Sequence, residues 1–192
     1  MTRLHSGPTA LAVLALSAGL LAGCATSAPQ SEGDVRASSP SAATPAPSPT
    51  VESAASIESQ LRYLIEEEKL AHDVYTVLGE LWDARVFENI AASESTHEEA
   101  VSDLLPVYGV EDPRASEPGV FTDPTLQALY DDLIEAGSRS REDAIQVGVT
   151  IEQTDIADLS AALTDAPQDV AVVLERLLAA SENHLTAFER QA

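Results

Sequence analysis

Apolar residues recur at helical spacing in four long segments of the chain, and we find no convincing strand-like alternation. In the second segment, Phe87, Ile90, Val101 and Leu104 fall on one stripe of the helix. The same spacing predicts four long helices, which cover approximately residues 57–81, 84–107, 140–163 and 165–188.

The lengths of the connections predict how these helices are arranged. Only a few residues separate the first helix from the second, and the third from the fourth, so each pair is expected to form an antiparallel hairpin. The crossover between the hairpins, residues 110–137, contains a short helix of its own, since Asp123 and Pro124 are typical of a helix start. Ser140, with Asp143 three residues on, is a variant capping box. The prediction is an all-α fold, a ferritin-like four-helix bundle with one long crossover.

The N-terminal part of the chain differs in composition from the rest. Residues 1–23 combine an early arginine, a short apolar run and small residues before Cys24, which is typical of a lipoprotein signal peptide. A plain signal peptide with an incidental cysteine is the alternative. Residues 24–56, rich in Ala, Ser and Pro, are expected to form a disordered tether, followed by one folded domain at 57–192. The expected location is the extracytoplasmic face of the cell membrane, with the lipid on Cys24 as anchor.

The charge of the chain limits its partners. Ten Lys and Arg residues stand against 32 Asp and Glu residues, giving a net charge of -22. Nucleic acid is disfavoured, because phosphate binding requires clustered basic residues. An acidic domain attracts cations or simply stays soluble. Cys24 is the single cysteine, so no disulfide framework or thiolate metal site is expected.

Every predicted long helix carries a carboxylate or an imidazole on its apolar stripe. These residues are Glu68 on the first helix, Glu94 and His97 on the second, Glu152 and Asp155 on the third, and His184 on the fourth. Ionised carboxylates are rarely buried without a partner, and Lys69 is the single lysine of the chain. Two divalent cations would neutralise such a cluster; ordinary core polar residues satisfied by their neighbours are the alternative.

Four sequence motifs in the predicted helices resemble those of a known family. "EEEKLAHDVY", "IAASESTHEEAVSDLL", "GVTIEQTDIADL" and "SENHLTAF" resemble a bacterial ferritin-like family, domain of unknown function 2202. The resemblance to the wider superfamily implies that the six residues above are ligands of a dinuclear metal site. It also implies a carboxylate three residues before His184, where this chain has Ser181, so two unequal metal affinities or a single ion per chain are expected.

Several neighbouring residues have other interpretations. Glu67 is an alternative to Glu68 as the ligand of the first helix. Tyr75 is expected in the core, where its hydroxyl could bond a ligating carboxylate. His72 is either a residue near the ligands or a surface histidine. Three glutamates are assigned to solvated faces, namely Glu66, Glu98 and Glu99.

The ligand types fit Fe, Mn or Zn. We therefore expect an extracytoplasmic metal-binding lipoprotein, a dinuclear iron or manganese carboxylate protein with oxidoreductase activity. The alternatives are a metal-binding or sensing protein without turnover, and an interaction module with an inert core. A homodimer is one assembly that the sequence leaves open.

Lipidation of Cys24 is directly testable. Mass spectrometry of the membrane fraction is expected to find a mature chain that begins with a lipid-modified Cys24, because one acyl chain plus a diacylglyceryl group anchors a protein firmly. A soluble mature form that begins at another residue would refute this prediction.

Overall fold

The structure is a computed structural model that describes residues 51–192, with side chains from residue 56 onward. The signal peptide, Cys24 and most of the predicted tether lie outside the described residues. The described part is all-helical, as predicted, and contains no strand. Its α-helices are α1 (Val51–Trp82), α2 (Arg85–Ser102), α3 (Pro124–Gly137), α4 (Arg141–Ala162) and α5 (Gln168–Glu189).

The helix boundaries follow local chemistry. The Asp123 side chain accepts hydrogen bonds from the first backbone amides of α3, and the Ser140 hydroxyl accepts one from Asp143 N at 3.0 Å. Both predicted N-caps are therefore confirmed. At the other boundaries the structure differs from the prediction: α1 begins at Val51 rather than Ile57, and α2 ends at Ser102.

The early end of α2 has a physical cause. The chain continues as a 3₁₀ helix over Leu105–Tyr108, and Pro106 within it has no amide hydrogen for a further helical bond. Gly109 then takes a left-handed conformation with φ 67°, which glycine adopts without steric cost. The periodicity that predicted a helix as far as Val107 thus spans two different helical elements.

Neighbouring long helices run in opposite directions. Glu68 on α1 lies beside His97 on α2, and Ala84 N bonds Gly79 O at the turn between them. On the other pair, Gly148 of α4 packs so closely on Phe188 of α5 that a Cβ at residue 148 would lie 2.6 Å from the ring. The short helix α3 packs on α1 and α4.

Two apolar clusters fill the interior, one toward each end of the long helices. The first includes an aromatic group of Tyr75, Phe87 and Phe188, and the second includes Leu61 and Leu177. On each long helix, buried polar residues stand between the positions that enter the two clusters. We call this band of buried polar residues the polar layer; its members are Glu68, Glu94, His97, Glu152, Asp155, Ser181 and His184.

Buried charged side chains of α1 form hydrogen bonds with the backbone of the crossover. Glu66 accepts hydrogen bonds from Thr122 N and Asp123 N, and its side chain is buried, so its predicted place on a solvated face is wrong. Lys69 donates to Asp73, which also accepts from Gly119 N at 2.8 Å. These hydrogen bonds attach the crossover to the surface of α1.

Within residues 51–192, no helix is both long enough and apolar enough to cross a membrane.

The Glu66 contact predicts a stability difference between two glutamates. Glu66→Ala leaves two crossover amides without an acceptor and is expected to reduce the free energy of unfolding by about 1–3 kcal/mol. Glu99→Ala is the matched control, because Glu99 is exposed and surface changes usually stay within about 0.5 kcal/mol. Urea denaturation measures the free energy of unfolding of both variants. Equal losses in the two variants would contradict a stabilising role of the Glu66 hydrogen bonds.

Candidate metal centre

Helical spacing correctly predicts that the six candidate ligands enter the core. All six predicted ligands are buried, and the most accessible of them, His184, is 9% exposed. Residues three, four and seven apart share one face of a helix. The face that packs inward therefore carries these side chains into the polar layer.

Five of the six residues form two overlapping groups among the described residues. In each group, three potential ligand atoms all lie within 4.8 Å of one another. The first triad is Glu68, Glu94 and His97, and the second triad is Glu94, Glu152 and His184. Glu94 belongs to both triads and so links them.

The Glu94 carboxylate lies between the two imidazoles. Its Oε2 atom is 2.7 Å from His97 Nδ1, and its Oε1 atom is 3.0 Å from His184 Nδ1. The two rings are stacked with centroids 5.5 Å apart. The outer carboxylates complete the arrangement: Glu68 Oε2 lies 3.2 Å from His97 Nδ1, and Glu152 Oε2 lies 3.6 Å from His184 Nδ1.

Several buried polar atoms of this region have no hydrogen-bond partner. Within the described residues, the buried side-chain atoms in this state are Glu67 Oε2, Glu68 Oε1, Asp155 Oδ1 and His184 Nδ1. His184 Nδ1 is close to Glu94 but poorly aligned for a hydrogen bond, while His184 Nε2 is 3.0 Å from the Ser93 hydroxyl. Buried polar groups are nearly always satisfied in folded proteins. Glu68 and His184 are members of the triads, so each triad retains a buried polar atom that protein groups leave unpartnered.

Burial and neighbouring opposite charges have opposite effects on the pKa values of the triad residues: burial disfavours the charged form of each group, and an opposite charge favours it. Burial opposes ionisation of Glu94, but the close imidazoles of His184 and His97 outweigh it and lower the pKa of Glu94 to about 2. Burial likewise opposes protonation of the histidines, yet their carboxylate partners raise the pKa of His97 to about 10 and that of His184 to about 9. Burial raises the pKa of Glu68 well above its usual range.

Tyr75 fixes one of the outer carboxylates. As predicted, the Tyr75 side chain is fully buried, and its hydroxyl donates to a candidate ligand, Glu152 Oε1, at 2.7 Å. The ring packs on Phe188 and Phe87, with centroids 5.2 and 5.9 Å away. The aromatic group of the first apolar cluster thus orients Glu152.

Asp155 belongs to neither triad, although it is buried one turn after Glu152. Burial raises its pKa to about 7, against a smaller opposite effect of the Ser181 hydroxyl. Ser181 is fully buried and donates to Leu177 O at 3.0 Å.

The structure distinguishes Glu67 from Glu68. Both are buried, but only Glu68 lies in a triad. Burial raises the pKa of Glu67 to about 10, and the charges of Asp155 and Asp158 add to this shift. Glu68 is therefore the better candidate ligand on α1.

Polar residues around the triads have contacts of their own. His72 lies on another face of α1, where its Nδ1 atom is 3.0 Å from the Glu98 carboxylate. Neither residue belongs to a triad. Glu98 was predicted on a solvated face, but it is half-buried. Ser93, the partner of His184, was not foreseen. It directly precedes Glu94 on α2, but nothing in the helical pattern distinguishes it from other polar residues.

Residues 58–192 match the family described as "Uncharacterized protein domain (DUF2202)". The chain belongs to this DUF2202 family. It is 46% identical over 127 residues to uncharacterized protein MJ0754 of Methanocaldococcus jannaschii, an alignment that covers 65% of this chain and 69% of the relative. It is also similar to the crystal structure of hypothetical protein MJ0754 from the same archaeon, with a TM-score of 0.70 and 40% identity over 78% of this chain and 85% of that one.

The pKa shifts predict how the stability of the metal-free DUF2202 domain depends on pH. The raised pKa of Asp155 makes folding less favourable as pH rises from about 4 to about 7. The raised pKa values of His97 and His184 add stability that is lost as pH rises from about 6.5 to about 10. Both effects predict a larger free energy of unfolding at pH 5 than at pH 8, since the stability due to Glu94 is lost only below about pH 4.5.

Urea denaturation in the presence of a chelator measures this dependence. Asp155→Asn is expected to flatten the slope between about pH 4 and 7, because it removes the titrating group. Stability that is constant, or that increases toward pH 8, would contradict the prediction.

Proposed function

We propose that this protein is an extracytoplasmic, lipid-anchored protein of the ferritin-like type, whose four long helices form a bundle that binds two iron or manganese ions. The ligands are the two triads, joined by Glu94, with Asp155 beside them. The lipid anchor predicted at Cys24 would keep this domain on the outer side of the membrane.

The unpartnered buried atoms are the observation that carries the proposal. Glu68 Oε1 and His184 Nδ1 belong to residues of the first and the second triad, and Asp155, whose Oδ1 is also unpartnered, lines the same cavity as Glu68. Leaving one buried polar group unsatisfied costs about 1–3 kcal/mol. A cation held among these atoms would satisfy them together, which neighbouring protein groups do not.

The charge balance supports the same proposal. In the described part of the chain, the ion pairs of the triad carboxylates involve only the two histidines. Lys69 is engaged with Asp73 and with Glu117 O. No lysine or arginine therefore neutralises Glu68, Glu94 or Glu152, whereas two divalent ions would.

The donor set favours a transition metal. Carboxylate oxygens alone suit Mg or Ca, and thiolates suit softer ions, but three carboxylates with two imidazoles suit iron, manganese or zinc. Ser181 offers no carboxylate, so the two ions are expected to bind with unequal affinity. Bound iron or manganese would supply one-electron chemistry toward dioxygen or hydrogen peroxide.

The residues of the chain would hold and prepare this site. Tyr75 and Ser93 hold Glu152 and His184 in place through their hydroxyl groups. With pKa values of about 10 and 9, His97 and His184 carry protons at neutral pH that metal must displace. Metal binding is therefore expected to release protons and to strengthen as pH rises.

A small cavity next to the triads supports access by a small molecule. It measures about 30 Å³ and is lined by Glu68, Glu94, Glu152 and Asp155, together with Leu129 and Leu133 of α3. Leu129 is 36% exposed, so this side of the site approaches the surface. The volume suits water, dioxygen or peroxide rather than an organic substrate.

Metal titration of two histidine variants tests the proposal. His97→Ala is expected to abolish most Fe(II) or Mn(II) binding and the associated rise in melting temperature. A ligand present at a hundredfold excess over its dissociation constant stabilises the folded chain by about 2.7 kcal/mol. His72→Ala is the matched control, because His72 is a half-buried histidine of the same domain outside the triads.

The outcomes separate the candidate functions. Loss of binding in His97→Ala with wild-type binding in His72→Ala supports the metal site; no metal-dependent shift in wild type would overturn it. Oxygen or peroxide consumption by the reduced, metal-loaded protein supports the oxidoreductase. Tight binding without consumption would restrict the function to metal binding or sensing.

A further inference from the structure

The basic residues of this acidic chain divide into paired and unpaired sets. Of the ten Lys and Arg residues, Arg3 and Arg36 lie outside the described part. Four others each pair with a carboxylate, namely Arg62, Lys69, Arg114 and Arg139. Within residues 51–192, the side chains of the remaining four, Arg85, Arg141, Arg176 and Arg190, have no hydrogen-bond or ion-pair partner.

Three of the four unpaired arginines line the same groove. The groove measures about 520 Å³ and lies at the end of the domain where α1 turns into α2. Arg85 is the first residue of α2, Arg141 is the first residue of α4, and Arg190 directly follows α5. Asp83 is the single acidic residue in its lining. We call it the arginine groove.

The composition of the chain makes this grouping informative. Acidic residues outnumber basic ones by more than three to one, so an exposed arginine has many carboxylates available to it. The arginine groove nevertheless combines three free guanidinium groups from three separate elements. In addition, Ala84 provides no side-chain cap for α2, so the first amides of that helix have no side-chain acceptor there.

We propose that the arginine groove binds a phosphate group. Guanidinium groups bind phosphate oxygens with paired, charge-assisted hydrogen bonds, and three of them suit a tetrahedral, multiply charged anion. The overall negative charge of the chain repels anions at a distance, so affinity must come from these local contacts. The groove is larger than a phosphate ion and has room for an attached group. Free phosphate compounds and phospholipid headgroups share this chemistry.

Titration with inorganic phosphate is the first test. The full chain, dialysed free of transition metals, is titrated at constant ionic strength by calorimetry, and one phosphate per chain is expected. Arg141→Ala and Arg190→Ala are each expected to weaken binding at least tenfold. Arg176→Ala, which removes the same charge from an exposed, unpaired position outside the groove, is expected to change affinity less than twofold.

Vesicle binding distinguishes the two sources of phosphate. The full chain with Cys24→Ser, which removes the predicted lipid anchor, is mixed with phosphatidylcholine vesicles with and without phosphatidylglycerol. Binding that requires phosphatidylglycerol and is lost in Arg141→Ala indicates a lipid headgroup; binding of inorganic phosphate alone indicates a soluble ligand. Binding of neither, or an equal loss in Arg176→Ala, would overturn the proposal.

Discussion

Burial of several carboxylates in one layer of the helical core is the constraint on which the rest of the structure depends. Glu68, Glu94 and Glu152 are each no more than 2% exposed, and removal of a carboxylate from water costs several kcal/mol unless a partner compensates. The protein compensates in part with two imidazoles, which share Glu94 between them. Glu68 Oε1 and His184 Nδ1 stay unpartnered, so protein groups do not compensate the whole desolvation cost of these side chains.

The apolar clusters on either side of the polar layer make its burial feasible. The aromatic group of the first cluster lies on one side, and its member Tyr75 reaches Glu152 with its hydroxyl. Leu61 and Leu177 of the second cluster lie on the other side. Since close-packed cores resist local rearrangement, these clusters hold the ligand side chains in place without metal. The proposed metal would therefore bind to a largely formed site, at the expense of the protons on His97 and His184.

The all-helical fold and the burial of the six candidate ligands could be predicted from sequence, because both follow from helical periodicity. The choice between Glu67 and Glu68 could not, since adjacent residues differ by only about 100° around a helix and both fall close to the centre of the apolar stripe. Glu66 was misassigned for a different reason: its partners, Thr122 and Asp123, lie 56 and 57 residues away in the crossover. Periodicity contains no information about such distant contacts.

The most direct test of the account is anomalous diffraction from crystals of the domain grown with Fe(II) or Mn(II). Two anomalous peaks per chain are expected, both within coordination distance of Glu94. One peak would also contact Glu68 and His97, and the other, Glu152 and His184. Absence of peaks in the polar layer, or peaks confined to surface carboxylates, would contradict it.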